Sequence, residues 1–191
     1  MQYDSRLAGL PAITGGLLWA LVPLLDDVFP VYEMVLPIIP LLLLVGVHAF
    51  SLQNIYERPL LGKSERLPLS IGFALLFIAA LVYTYGLISQ ASVVLLYLAG
   101  APAILGVILV ATGSAFTAYA LWKQEQLPTW IALLFGLSLP LDPLFNGLIT
   151  PLLSAGLSLY GISWVVLGVY LSMNGGLEPE EEEPTVVYNF D

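Results

Sequence analysis

Residues 69–88 read LSIGFALLFIAALVYTYGLI, an apolar stretch that carries no charged residue. An α-helix rises 1.5 Å per residue, so about 20 residues cross the roughly 30 Å of hydrocarbon in a bilayer. The stretch is therefore read as a membrane-crossing helix. The rest of the chain has the same character. Of its 191 residues, 59% are hydrophobic and 10% charged, whereas a soluble domain carries about 25% charged residues.

Outward from this stretch, apolar segments fall at about Leu7–Leu25, Met34–Leu52, Leu67–Ser89, Val93–Leu121, Pro128–Leu141 and Leu152–Met173. The expectation is an all-α integral membrane protein of about six transmembrane helices, arranged as three consecutive hairpins. The domain would span residues 1–173, with residues 174–191 as an acidic, disordered cytoplasmic tail. The fourth segment is too long to cross straight. Gly100-Ala101-Pro102 is expected to kink it or to split off an interfacial piece, because proline removes a helical hydrogen bond. The fifth is short unless it continues through Asp142-Pro143 towards Thr150. The first run follows Arg6 with no convincing cleavage site after it, which reads as a retained helix.

Basic residues of short loops stay cytoplasmic. Arg6 precedes the first segment, Arg58, Lys63 and Arg66 lie between the second and third, and Lys123 lies between the fourth and fifth. With six spans all five fall on one side, opposite Asp26, Asp27, Glu33 and Asp142. This places a multi-pass protein in the cell membrane with both termini cytoplasmic. Trp122 and Trp130 flank the Lys123 loop, where amphipathic rings anchor at the headgroup layer.

An internal repeat is also readable. Leu17-Leu18-Trp19, Leu75-Leu76-Phe77 and Leu133-Leu134-Phe135 recur 58 residues apart (75 − 17 and 133 − 75). Aromatic pairs six apart recur in the even segments as Phe50 and Tyr56, Phe116 and Trp122, and Trp164 and Tyr170. A threefold repeat would set three hairpins around a pseudo-threefold axis. Helix contacts are expected at small residues, since lipid supplies no hydrophobic drive between helices. Ala111 with Ala115, Ser114 with Ala118, and Ser154 with Ser158 each stand four apart.

The formal charge of −9, from 14 acidic and 5 basic residues, argues against nucleic acid as a partner. Much of the excess is Glu178 and Glu180 to Glu183. Acidity with few basic residues and no cysteine is a halophile-like composition, since salt screens the repulsion of an acidic surface. The absence of cysteine excludes disulfides, thiolate nucleophiles and sulfur-ligated metals. No cofactor, metal site or enzyme activity is expected. The expected partners are the lipid bilayer and either a second copy of the chain or another membrane protein. Thr185 to Phe190, near the end of the tail, is apolar enough to add as a strand to a partner.

Four residues are candidates for a polar path. Asp142 lies between Pro140 and Pro143 with Asn146 close behind, and broken helices with a carboxylate can build ion sites. The plainer reading makes Asp142 an external turn marker, as Asp26 and Asp27 are for the first hairpin. His48 is the one histidine, inside the second segment. It is read as a hydrogen-bonding residue before a proton relay. Gly161-Ile162-Ser163 and Thr112-Gly113-Ser114 resemble nucleophile surroundings superficially, and helix packing is the preferred reading of both. These features leave a scaffold or accessory membrane subunit as the leading function. A small transporter or channel for a cation or small solute is the alternative, with Asp26 and Asp142 at its mouth and His48 or Asn146 deeper. A single cysteine introduced at Lys63 should resist an impermeant thiol reagent added outside intact cells; labelling there would reverse the orientation.

Overall fold

The computed structural model describes residues 9–25, 34–52, 54–55, 58–59, 63–89, 93–153 and 157–174. Among them are six helices: α1 (Leu10–Leu25), α2 (Ile38–Leu52), α3 (Lys63–Ile88), α4 (Val93–Lys123), α5 (Thr129–Leu153) and α6 (Leu159–Asn174). Asn54–Ile55 (β1) and Arg58–Pro59 (β2) pair antiparallel in the connection between α2 and α3, with Asn54 opposite Pro59. The all-helical expectation holds.

Six spans are not supported in full. Three helices are long and apolar enough to cross a membrane, over Arg66–Ile88, Tyr97–Lys123 and Thr129–Leu148. The apolar parts of the others, Leu10–Leu24, Ile38–Ser51 and Leu159–Met173, are shorter. α1 and α6 have 16 residues each, about 24 Å of helix against a hydrocarbon core of about 30 Å. α4 is not split at Gly100-Ala101-Pro102. It is one helix of 31 residues running through Pro102, since proline removes only its own donor and the flanking turns keep theirs. α5 likewise runs on through Pro140 and Pro143 to Leu153.

Each helix packs on the next in sequence, and α6 returns to pack on α1, closing a ring. The closest associations are α3 with α4 and α1 with α6. Glycine makes both. Gly9, directly before α1 and accepting from Ile13 N at 2.9 Å, and Gly16 on α1 form one pair, and Gly161 and Gly168 on α6 a second, each spaced seven apart (16 − 9 and 168 − 161), two helical turns, so each pair lies on one face. A Cβ at Gly16 would lie 2.8 Å from Gly161 O, and one at Gly168 would lie 3.1 Å from Gly9 O. The helices are thus antiparallel and in backbone contact. A third pair on α4, Gly106 and Gly113, meets Leu76 and Leu69 of α3, and Gly72 of α3 sits against Val110 and Gly106. α1 presents a second close face to α2, where Gly46 abuts Ala12.

The ring's interior is filled by rings. Trp164 of α6 stacks on Phe50 of α2 (centroids 6.3 Å, planes 7° apart) and meets Phe73 of α3 and Phe135 of α5 edge-on at 5.6 and 5.0 Å. Trp19 of α1 contacts Phe73 and Tyr160. Aromatic pairs contribute about 0.5–1.5 kcal/mol each beyond area burial.

A threefold repeat is not supported. Phe50 and Trp164 are buried, but Phe116, at the matching position of the second hairpin, is 62% exposed. Phe135 is fully buried while Phe77, its counterpart, is only partly so. Small-residue contacts form at Ser114 and Ala118, both buried. Ala115 faces outward; Ser158 precedes α6, and Ser154 lies outside the described residues.

Candidate functional site

Arg66, at the start of α3, donates from Nη1 to Ser51 Oγ near the end of α2 at 3.1 Å. Trp122, at the end of α4, donates from Nε1 to Thr129 Oγ1 at the start of α5 at 3.2 Å. Antiparallel packing of α3 on α4 puts both connections at one end of the ring. Arg66 and Lys123 therefore share an end, and Asp142 lies towards the other.

Asp142 does not mark a turn. It lies in the middle of α5, eleven residues (153 − 142), or about 16 Å of helix, before that helix ends. Ser158 Oγ lies 3.1 Å from each of its carboxylate oxygens, and Tyr160 N donates to Oδ1 at 3.2 Å. Ser158 Oγ in turn accepts from Gly161 N at 3.4 Å. This is a helix N-terminus capped twice. Ser158 stands at the N-cap position and serves the third amide, while the carboxylate serves the second. The first turn of α6 has no acidic residue of its own. Asp142 supplies one from the neighbouring helix, where negative charge is stabilised by the α6 dipole. Ser158 N also donates to Ala20 O at 3.1 Å, so the start of α6 is tied to both α5 and α1.

From this cap a set of buried hydroxyls leads inward. Tyr160 Oη and Ser114 Oγ of α4 are hydrogen-bonded at 2.9 Å across the interior. Ser163 Oγ donates to Tyr160 O at 2.7 Å and accepts from Ser138 Oγ of α5 at 3.0 Å. Among the described residues the buried polar side chains are Ser114, Thr117, Ser138, Ser158 and Ser163. All lie on α4, α5 and α6 or at the N-cap of α6, so the buried hydroxyls concentrate in that half of the ring, while α1, α2 and α3 contribute mainly apolar and aromatic groups, with the Oγ of Ser70 on α3 also buried. The hydroxyls of both Ser114 and Ser163 are engaged with Tyr160, Ser114 with its Oη and Ser163 with its carbonyl.

Asn146 follows Asp142 by one helical turn and is half-buried. His48 is elsewhere. It is exposed on α2, donates from Nδ1 to Leu44 O at 3.0 Å, and lies one turn from Ser51 at the Arg66 end. The structure thus sets Asp142 and Asn146 on one helix and separates His48 from them. Asp26 and the acidic tail lie outside the described residues, as do Asp27, Glu33 and Arg6.

The sequence reading took Ser158 only as a helix-contact residue and missed Tyr160 and Ser138. One signal was present: a serine directly before the apolar run Leu159–Met173 is an N-terminal capping pattern. Nothing local pairs it with a carboxylate 16 residues earlier. Comparison of the chain with protein-family models, curated proteins and solved structures finds no match.

Removing the cap should cost stability in proportion to the donors left bare. Ser158→Ala should lower unfolding free energy by about 1 kcal/mol, and Asp142→Ala by about 1–3 kcal/mol because it strands a buried amide and a hydroxyl. Asp142→Asn, which keeps an acceptor, should fall between wild type and Asp142→Ala. Thermal melts of the detergent-solubilised chain give the ranking; a neutral Asp142→Ala would contradict the capping role.

Proposed function

We propose that this chain is a multi-pass protein of the cell membrane that acts as a non-catalytic scaffold or accessory subunit. Three helices of membrane-crossing length support insertion. The largely apolar outer faces, with residues such as Ile104, Leu105, Leu144 and Leu148 exposed, suit contact with lipid or with another membrane protein. In the finer reading α1, α2 and α6 also insert, giving six spans, and the end bearing Arg66 and Lys123 is cytoplasmic with both chain termini.

The observation that carries the scaffold reading is the filling of the ring. Trp164, Tyr160, Phe135 and Phe73 are all fully buried or nearly so, with Trp164 in contact with the other three and Phe135 with Tyr160. The carboxylate Asp142, the group best suited to chemistry among the described residues, is spent on starting a helix. An interior so occupied offers packing and rigidity.

A second reading, a small transporter or channel for a cation or small solute, keeps one observation of its own. Asp142 sits about 16 Å of helix from the tip of α5, beside the hydroxyl-bearing half of the interior, and a carboxylate at membrane depth is costly unless used. Native mass spectrometry of the protein gently extracted from its own membrane separates the two. A stoichiometric protein partner is the expected result. A chain that runs without one, and that drives cation flux in liposomes reduced by Asp142→Asn, would replace the scaffold reading with transport.

A further inference from the structure

We propose that the outward groove between α4 and α5 holds one acyl chain of a zwitterionic membrane phospholipid, with the lipid's phosphate against Lys123; this rests on the membrane reading above. The groove has a volume of about 270 Å³ and opens on the outer side of two of the helices long enough to cross a bilayer. Its floor is Ala115 and Ala118 of α4 with Ala132 and Gly136 of α5. A Cβ at Gly136 would lie 2.9 Å from Ala118 Cβ, so the helices are close at this level. Small side chains at a close approach leave a slot on the outer side that no residue of the described chain fills.

The slot's dimensions suit a hydrocarbon chain. From Ala115 to Trp122 it runs seven residues, about 10 Å along α4. Over that length a volume of about 270 Å³ leaves room for a stretch of several methylenes. A partner helix would enter such a slot only by single side chains, whereas an acyl chain follows it along its length. Burying each methylene contributes about 0.8 kcal/mol when it leaves water; between lipid and protein the gain is instead in contacts, which a slot on three sides supplies.

The mouth supplies the headgroup chemistry. It lies at the Lys123 end, where Trp122 and Thr129 close the groove. Thr129 Oγ1 accepts from Trp122 Nε1, which leaves its own proton for an outside acceptor such as a phosphate oxygen. Lys123, the next residue after Trp122, is exposed in the last turn of α4. Glu125 follows in the turn, exposed and with a left-handed φ of 59°. One positive and one negative charge two residues apart complement a phosphate and an ammonium, and the glutamate disfavours a headgroup with net negative charge.

The full chain in nanodiscs containing equal phosphatidylethanolamine and phosphatidylglycerol provides the test, read by native mass spectrometry at an activation that strips bulk lipid. One phosphatidylethanolamine per chain should remain. Ala115→Leu fills the slot from its exposed side and should cut that occupancy about fivefold with an unchanged melting midpoint. Lys123→Gln should cut it about threefold. No retained lipid, equal retention by Ala115→Leu, a preference for phosphatidylglycerol, or a retained second copy of the chain that Ala115→Leu releases would each overturn the assignment. Extraction of the protein from membranes by alkaline carbonate would overturn the membrane reading and this proposal with it.

Discussion

The backbone contact of α1 with α6 is the constraint on which the remaining architecture depends. In the six-span reading proposed above, α1 and α6 lie in lipid, where no hydrophobic drive joins apolar helices and attraction comes from close packing and polar contacts. Gly9 and Gly16 opposite Gly168 and Gly161 remove the side chains that would hold the helices apart. A Cβ at Gly161 would run into the backbone of Ala20 and lie 2.6 Å from Gly16 O. Once the last helix is held this closely to the first, a run of helices that each pack on the next becomes a closed ring.

Closure decides what the interior is. With α6 seated on α1, Tyr160 and Trp164 point inward and meet rings from α1, α2, α3 and α5. Tyr160 reaches further, to Ser114 of α4, so residues of one helix touch the other five. The depth at which α6 begins is fixed by Asp142. A serine and a carboxylate cap its first turn beside the middle of α5, and the Ser158 amide ties the same point to Ala20. The polar groups of this interior thereby serve register and closure, the use that the scaffold reading assigns to them.

The helices were legible because apolar runs of this length have one structural solution in lipid. Their ends were less so. Pro140 and Pro143 signalled a break at Asp142, yet α5 continues through both, because two prolines one turn apart cost few hydrogen bonds and neighbouring helices hold the segment. The likeness of Leu17-Leu18-Trp19 to Leu133-Leu134-Phe135 was real as a pattern and empty as a fold signal. Leucine-rich helices repeat such triplets, and burial of Phe50 and Trp164 against exposure of Phe116 shows that matched positions face different surroundings. The seven-residue glycine spacing was the stronger signal and could be read without a structure. The pairing of Asp142 with Ser158 could not, since it depends on how far α6 slides along α5.

The most direct test of the account is whether α6 closes on α1. The chain has no cysteine, so a pair introduced as Ala20→Cys and Ser158→Cys, at positions joined by a backbone hydrogen bond from Ser158 N to Ala20 O at 3.1 Å, can be oxidised in intact membranes without background. The account predicts an intrachain disulfide joining the first and last helices, recovered as a linked fragment pair by mass spectrometry. A control pairing Ala20→Cys with Lys123→Cys should give none. Absence of the first link, or its formation only between two copies of the chain, would contradict the closed ring.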